Sequence, residues 1–178
     1  MGDAAFWRLQ AVRALYAVAV LAIIVVLLLP IGSGGARFPG PDIILVLTIA
    51  WTIRAPNQLP AVLVGAVLLV ADLVLMRPPG LMAAITIVGV EFIRARQSTW
   101  RGLNLPAEWA IGGAVVAAIL ITNALAHTIF LVPQPPLGQT VIRLLISVLV
   151  YPIMVAVVLY VFKIESAAIK GNTAGTQL

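Results

Sequence analysis

The chain has 178 residues, of which 62% are apolar and 10% charged, with a mean hydropathy of +1.13. Soluble domains run at roughly 45–50% apolar and about 25% charged. A domain this small could not bury such an excess, and disorder is excluded by the same richness, so composition predicts an integral membrane protein. Six spans at about 20 residues each would use roughly 120 residues, leaving no room for a soluble catalytic domain. There is no cysteine, which removes disulfides, iron–sulfur clusters and thiolate metal sites, and a single histidine, which removes a multi-histidine metal site. No cofactor is expected. The net charge of +5 sits between apolar runs, where it reads as loop charge that sets topology rather than as a nucleic-acid surface.

The first apolar run is Ala14 to Leu29, with Arg8 and Arg13 before it and Pro30 after it. A basic flank, an apolar core and then Gly32, Ser33, Gly34 and Gly35 resemble a signal peptide, but five more apolar segments follow, and an uncleaved first helix over about 14–30 is expected. Ile31 to Pro41 is a Gly/Pro-rich loop. Asp42 stands where a helix N-cap is wanted, giving a short second helix over about 42–54. Its apolar part, Ile43 to Ile53, rises only about 16 Å against a hydrocarbon core of about 30 Å. The third helix is expected over about 59–76, interrupted by Asp72, and Arg77-Pro78-Pro79-Gly80 breaks the chain. The fourth, about 79–94, ends in Glu91 and the basic Arg94, Arg96 and Arg101. The fifth covers about 107–132, followed by a turn at Pro133, Pro135 and Pro136. The sixth covers about 137–162 and contains Pro152. Proline inside a membrane helix is tolerated when a neighbour satisfies the freed carbonyl. Residues 163–178 form a polar cytoplasmic tail, expected to be mobile. The expectation is an all-α polytopic bundle of six helices in one membrane domain, 1–178.

Charge decides whether the short second run crosses. With six crossings and the N-terminus inside, Arg8, Arg13, Arg54, Arg94, Arg96, Arg101, Lys163 and Lys170 lie on the inner side, and Arg37 and Arg77 on the outer side. If the second run only dips into the membrane, that bias inverts. The positive-inside rule selects six crossings, with the short helix accommodated by thinning, burial or added flanking residues such as Gly40 to Asp42. Trp7, Trp51, Trp100 and Trp109 all fall at the inner interface, a depth that suits the amphipathic indole. Both termini are expected in the cytoplasm.

Ionisable groups inside spans are costly and have structural or functional partners. Asp72, His127, Asn123 (on the same face as His127) and Arg143, close to Gln139, fall at similar outer depth on three helices. An outer polar cluster is expected, with Asp72 and Arg143 as its charge pair. Such groups tie helices together or snorkel outward; the sharper reading is a small cavity for a lipid headgroup or polar ligand. Asp72→Ala is expected to leave Arg143 or Arg77 unpaired. At the inner end, Glu91 reads as a local ion pair with Arg94, near Arg54. Asp72 and Glu91 sit near opposite faces with nothing ionisable at the midplane, which argues against a proton-driven transporter. Small residues recur at spacing four in Ala61/Gly65, Gly80/Ala84, Gly113/Ala117 and Ala114/Ala118, permitting close helix approach.

The sequence holds no phosphate-binding Gly-Lys-Ser/Thr loop, no G-x-S-x-G elbow, no H-E-x-x-H and no channel filter. Ser147, His127 and Asp72 can be written as a triad but lack any supporting spacing. A non-enzymatic protein that packs, binds or scaffolds is therefore expected.

From Pro41 to Arg96 the chain resembles the rod shape-determining MreD family, in its alphaproteobacterial form. The matching residues are Arg54-Ala55-Pro56, Asp72, Arg77-Pro78-Pro79-Gly80-Leu81, and Glu91-Phe92 with Arg94 and Arg96. The resemblance implies a component of the bacterial inner membrane in the cell-elongation, peptidoglycan-synthesis machinery. Its partner there is MreC, and it is linked indirectly to MreB, RodA and a class B penicillin-binding transpeptidase. It further implies a bundle similar to the substrate-binding subunits of energy-coupling-factor transporters, no catalytic residue, and structural or partner-contact roles for Arg54, Asp72 and Arg77. Membrane lipid is the remaining expected partner, and nucleic acid is not one. The rival reading is a vitamin-like small-molecule-binding subunit of a transporter.

Overall fold

The computed structural model describes residues 2–29, 40–100, 104–131 and 136–161, and among them every regular element is helical. Six helices follow in order: α1 Gly2–Leu28, α2 Ile43–Arg54, α3 Ala61–Val74, α4 Leu81–Ala95, α5 Leu105–Ile129 and α6 Leu137–Tyr160. Three are long and apolar enough to cross a membrane, over Phe6–Leu28, Leu105–Ile129 and Leu137–Tyr160, and they mark a membrane protein. Helix α1 starts about three turns before the expected run, because nothing between Asp3 and Leu28 breaks a helix and Asp3 suits the first turn. Expected features at Pro30, Arg37, Arg101, Pro133, Pro135, Lys163 and Lys170, and the tail 163–178, lie outside the described residues.

Helix α2 has only 12 residues, about 18 Å of rise. Proline sets both limits. Pro41 precedes its cap, and Pro56 keeps Ala55 out of the helical region, at φ −140° and ψ 66°. The helix is apolar on every side, and such a helix belongs in an interior. Residues Ile44 to Thr52 are all buried, enclosed by α1, α4, α5 and α6. The short helix is therefore housed inside the bundle. Its two hydroxyls stay satisfied inside the bundle. Thr48 donates to the Ile44 carbonyl (2.7 Å) and Thr52 to the Thr48 carbonyl (2.7 Å). With its proton so committed, Thr48 Oγ1 accepts from the Tyr16 hydroxyl at 2.8 Å, joining α1 to α2.

The remaining helices pack chiefly as α3 on α4, α5 on α6 and α6 on α2. Close approach rests on single glycines. A Cβ at Gly89 of α4 would stand 2.6 Å from Ile119 Cδ1 of α5, and one at Gly112 of α5 would overlap the Tyr151 ring of α6. The α3–α4 turn leaves the helical region at Met76 (φ +52°) and again at Gly80 (φ +82°), where only glycine is free of steric cost. Trp51, expected to face the interface, is instead enclosed by protein: it is fully buried, edge-on to Tyr16 at 5.6 Å, and its indole donates to Gln58 Oε1 at 3.2 Å. Trp7, by contrast, is 68% exposed.

Candidate functional site

The polar chemistry of the bundle gathers at the two ends of α2. At its N-terminus, Asp42 is 3% exposed. One carboxylate oxygen accepts the Leu45 N–H (3.3 Å), which makes Asp42 the N-cap that the sequence calls for. The other accepts Arg77 Nη1 at 3.3 Å and also Arg143 Nη2. The Asp42 N–H donates to Ser147 Oγ (2.9 Å), and that hydroxyl donates onward to the Arg143 carbonyl (2.7 Å). One carboxylate thus ties the start of α2 to the α3–α4 turn and to α6. Two guanidinium groups meet one buried charge, so most of its desolvation cost is offset.

Arg143 pairs with Asp42, and Asp72 is not its partner. Asp72 is buried on α3, where its carboxylate accepts the Ala83 N–H of α4 (3.3 Å) and its carbonyl accepts the Arg77 N–H (2.9 Å). Its task is to close the α3–α4 hairpin. The expected cluster lacks Asp42 because that residue looks like part of a loop, whereas its helix is sunk deeply enough to place the cap beside α6. His127 and Asn123 bond within α5: His127 Nδ1 donates to the Asn123 carbonyl at 2.8 Å. Nothing among the described residues joins them to Arg143, and Asn123 Oδ1 is buried without a partner.

The other end of α2 carries Arg54. Its Nε and Nη2 reach both oxygens of Glu108, at 2.9 and 2.6 Å, with side chains 10% and 6% exposed. This is a bidentate, buried pair between α2 and α5. Glu108 lies in the first turn of α5, whose cap is Asn104, accepting from the Ala107 N–H at 3.1 Å. The arrangement follows helix electrostatics twice: an acid at the N-terminus of α5, and on α2 an acid at the N-terminus with a base at the C-terminus. Glu108 is absent from the candidates that the sequence suggests. The available signal is an acidic residue in the first turn of a span, at the same end as Arg54. Glu91 does pair with Arg94, at 2.5 Å, one helical turn away, and Arg94 Nε also donates to the Pro56 carbonyl at 3.2 Å. Arg13 Nε donates to the Gln58 carbonyl at 3.3 Å. Arg13, Arg54 and Arg94 therefore share one end of the bundle, and Arg77 and Arg143 share the other.

Comparison with protein-family models, with curated proteins and with solved structures finds no match. One further polar contact completes the site geometry. Pro152 lacks an N–H, which frees the Val148 carbonyl in α6. The Trp109 indole of α5 donates to that carbonyl at 2.9 Å. Near it, the Tyr151 hydroxyl is buried without a partner among the described residues. Ser147, one member of the triad that the sequence allows, has its hydroxyl committed to Asp42 and Arg143.

Proposed function

We propose that the chain is a non-enzymatic scaffold of the bacterial inner membrane, serving the cell-elongation complex as MreD-family proteins do. On this reading it binds MreC and, through it, helps link MreB filaments to RodA and a class B penicillin-binding transpeptidase. The Arg54 end faces the cytoplasm, with both termini, and the fold is similar to energy-coupling-factor substrate-binding subunits. The observation that carries the reading concerns the residues of the resemblance. Arg54 holds Glu108, Arg77 holds Asp42, Asp72 holds the α4 backbone, and Arg94 holds Glu91 and the Pro56 carbonyl. Each is spent on rigidity, which suits a subunit that presents a fixed surface to partner helices. Phe6, Val18, Val62, Val88, Leu125 and Leu149 are apolar and exposed on that surface, available to lipid or to a partner span.

A second reading, a vitamin-like ligand-binding subunit of a transporter, draws on Arg143 Nε and Asn123 Oδ1, which are buried without a partner among the described residues. Purification of the tagged protein from its native membrane in mild detergent separates the two. Recovery of an MreC-type protein is the expected result. Recovery of ATPase subunits together with a bound vitamin would overturn the scaffold reading.

A further inference from the structure

Between α1 and α3, at the Arg54 end, lies an open groove of about 510 Å³. It falls within the size range of small-ligand clefts, ~300–1,000 Å³. Gln10, Arg13, Ala14 and Ala17 line it from α1, and Pro60, Val62, Leu63 and Ala66 from the start of α3. The α1 residues recur at helical spacing and so form one stripe, polar at the end of Gln10 and Arg13 and made of small apolar residues beyond. The guanidinium of Arg13 anchors at the polar end. Its Nε is held by the Gln58 carbonyl, which orients the group, while both Nη nitrogens have no acceptor among the described residues.

We propose that this groove binds an anionic phospholipid, with the phosphate on Arg13 Nη and Gln10 and one acyl chain lying along Ala14, Ala17, Leu63 and Ala66. Charge complementarity selects this occupant. An oriented guanidinium with two free donor nitrogens matches a phosphate in a fork geometry, and Arg8 and Arg13 make this end of α1 basic, as lipid-attracting ends are. Lipid binding here requires only that the bundle sit in a bilayer, whether or not the chain is a scaffold.

The test is the thermal midpoint of the purified full chain in one detergent, titrated with phosphatidylglycerol or with phosphatidylcholine of identical acyl chains. A ligand that binds only the folded state raises the midpoint. The wild type is expected to gain about 5 °C more from phosphatidylglycerol. Arg13→Gln removes the phosphate contact and Ala17→Leu fills the chain path, and each is expected to abolish the excess. Arg13→Lys keeps the charge and retains most of it. Arg96→Gln, which removes a cation that lies over Phe92 at the same end, leaves it whole. Should Arg13→Gln fail to fold, Ala17→Leu set against Arg13→Lys decides. Three results would overturn the proposal: an undiminished excess in Ala17→Leu, an equal loss in Arg96→Gln, or no excess in the wild type.

Discussion

Trp109→Phe is the most informative single perturbation, because it removes one hydrogen-bond donor from one identified carbonyl. Pro152 frees the Val148 carbonyl, and the Trp109 indole restores its bond at 2.9 Å. An unsatisfied buried polar group costs about 1–3 kcal/mol, whereas hydrogen bonds between membrane helices measure about 0.6 kcal/mol on average and about 1.7 at most. Trp109 is 40% exposed, so the lower figures apply, and the bond contributes about 1 kcal/mol here. Loss of indole packing adds to the cost of Trp109→Phe, but that part does not depend on Pro152. Pro152→Ala supplies an N–H four residues after Val148, and α6 can then satisfy its own carbonyl. Trp109→Phe should therefore cost about 1 kcal/mol less in the Pro152→Ala background than in the wild type. The four proteins are compared by equilibrium unfolding with sodium dodecyl sulfate in mixed micelles, read by far-UV circular dichroism so that loss of the indole does not alter the signal. Equal costs in both backgrounds would refute the link between Trp109 and Pro152.

Three further outcomes follow from the charges and the packing. Asp42→Ala strips the counter-charge from Arg77 and Arg143 and the cap from α2, and should cost about 3–5 kcal/mol, while Asp72→Ala leaves the Ala83 N–H unpaired and should cost about 1–3 kcal/mol; the reverse order in the same unfolding assay would contradict the geometry of the Asp42 end. Arg54→Ala and Glu108→Ala should each destabilise by about 3–5 kcal/mol, and the double variant by clearly less than their sum, since no charge is then left buried alone; strict additivity would show that the pair does not form. Gly112→Ala forces a methyl group against the Tyr151 ring and should cost about 1–3 kcal/mol, with most of that recovered on adding Tyr151→Leu; an undisturbed, monodisperse Gly112→Ala protein by size exclusion and unfolding would show that α5 and α6 are not so close.

Much of the fold is legible in the sequence because membrane helices announce themselves by hydropathy, and because proline and glycine mark their ends. Asp42 as a cap and Pro56 as a stop are enough to define α2 from residue types alone. The Glu91–Arg94 pair is equally legible, since both partners lie on one helix and spacing alone brings them together. Pairs between helices are another matter. Arg54 and Glu108 are 54 positions apart and Asp42 and Arg143 are 101 apart, so their meeting depends on which helices are neighbours, and hydropathy does not encode that. Hydropathy gives Arg143 its depth, but it directs the search for a partner to residues inside long spans. The cap of a short, sunken helix lies at the same depth, and Asp42 takes the charge there. Trp51 fails as an interfacial anchor for the same reason: its helix is the enclosed one, so the indole meets Tyr16 and Gln58 instead of headgroups.

We propose that α2, a buried helix of only 12 residues, crosses the membrane inside the bundle. The chain has no cysteine, so single cysteines can be placed in it without removing any. Gly40 and Gly138 are open sites where a new Cβ meets nothing within 4 Å, and Thr99 is exposed after α4. In intact cells treated with a membrane-impermeant maleimide, Gly40→Cys and Gly138→Cys should both label from the outside, and Thr99→Cys only after permeabilisation. If α2 merely dips into the membrane, every later segment inverts, and Gly40→Cys and Gly138→Cys label from opposite sides. Labelling from opposite sides would show that α2 does not cross.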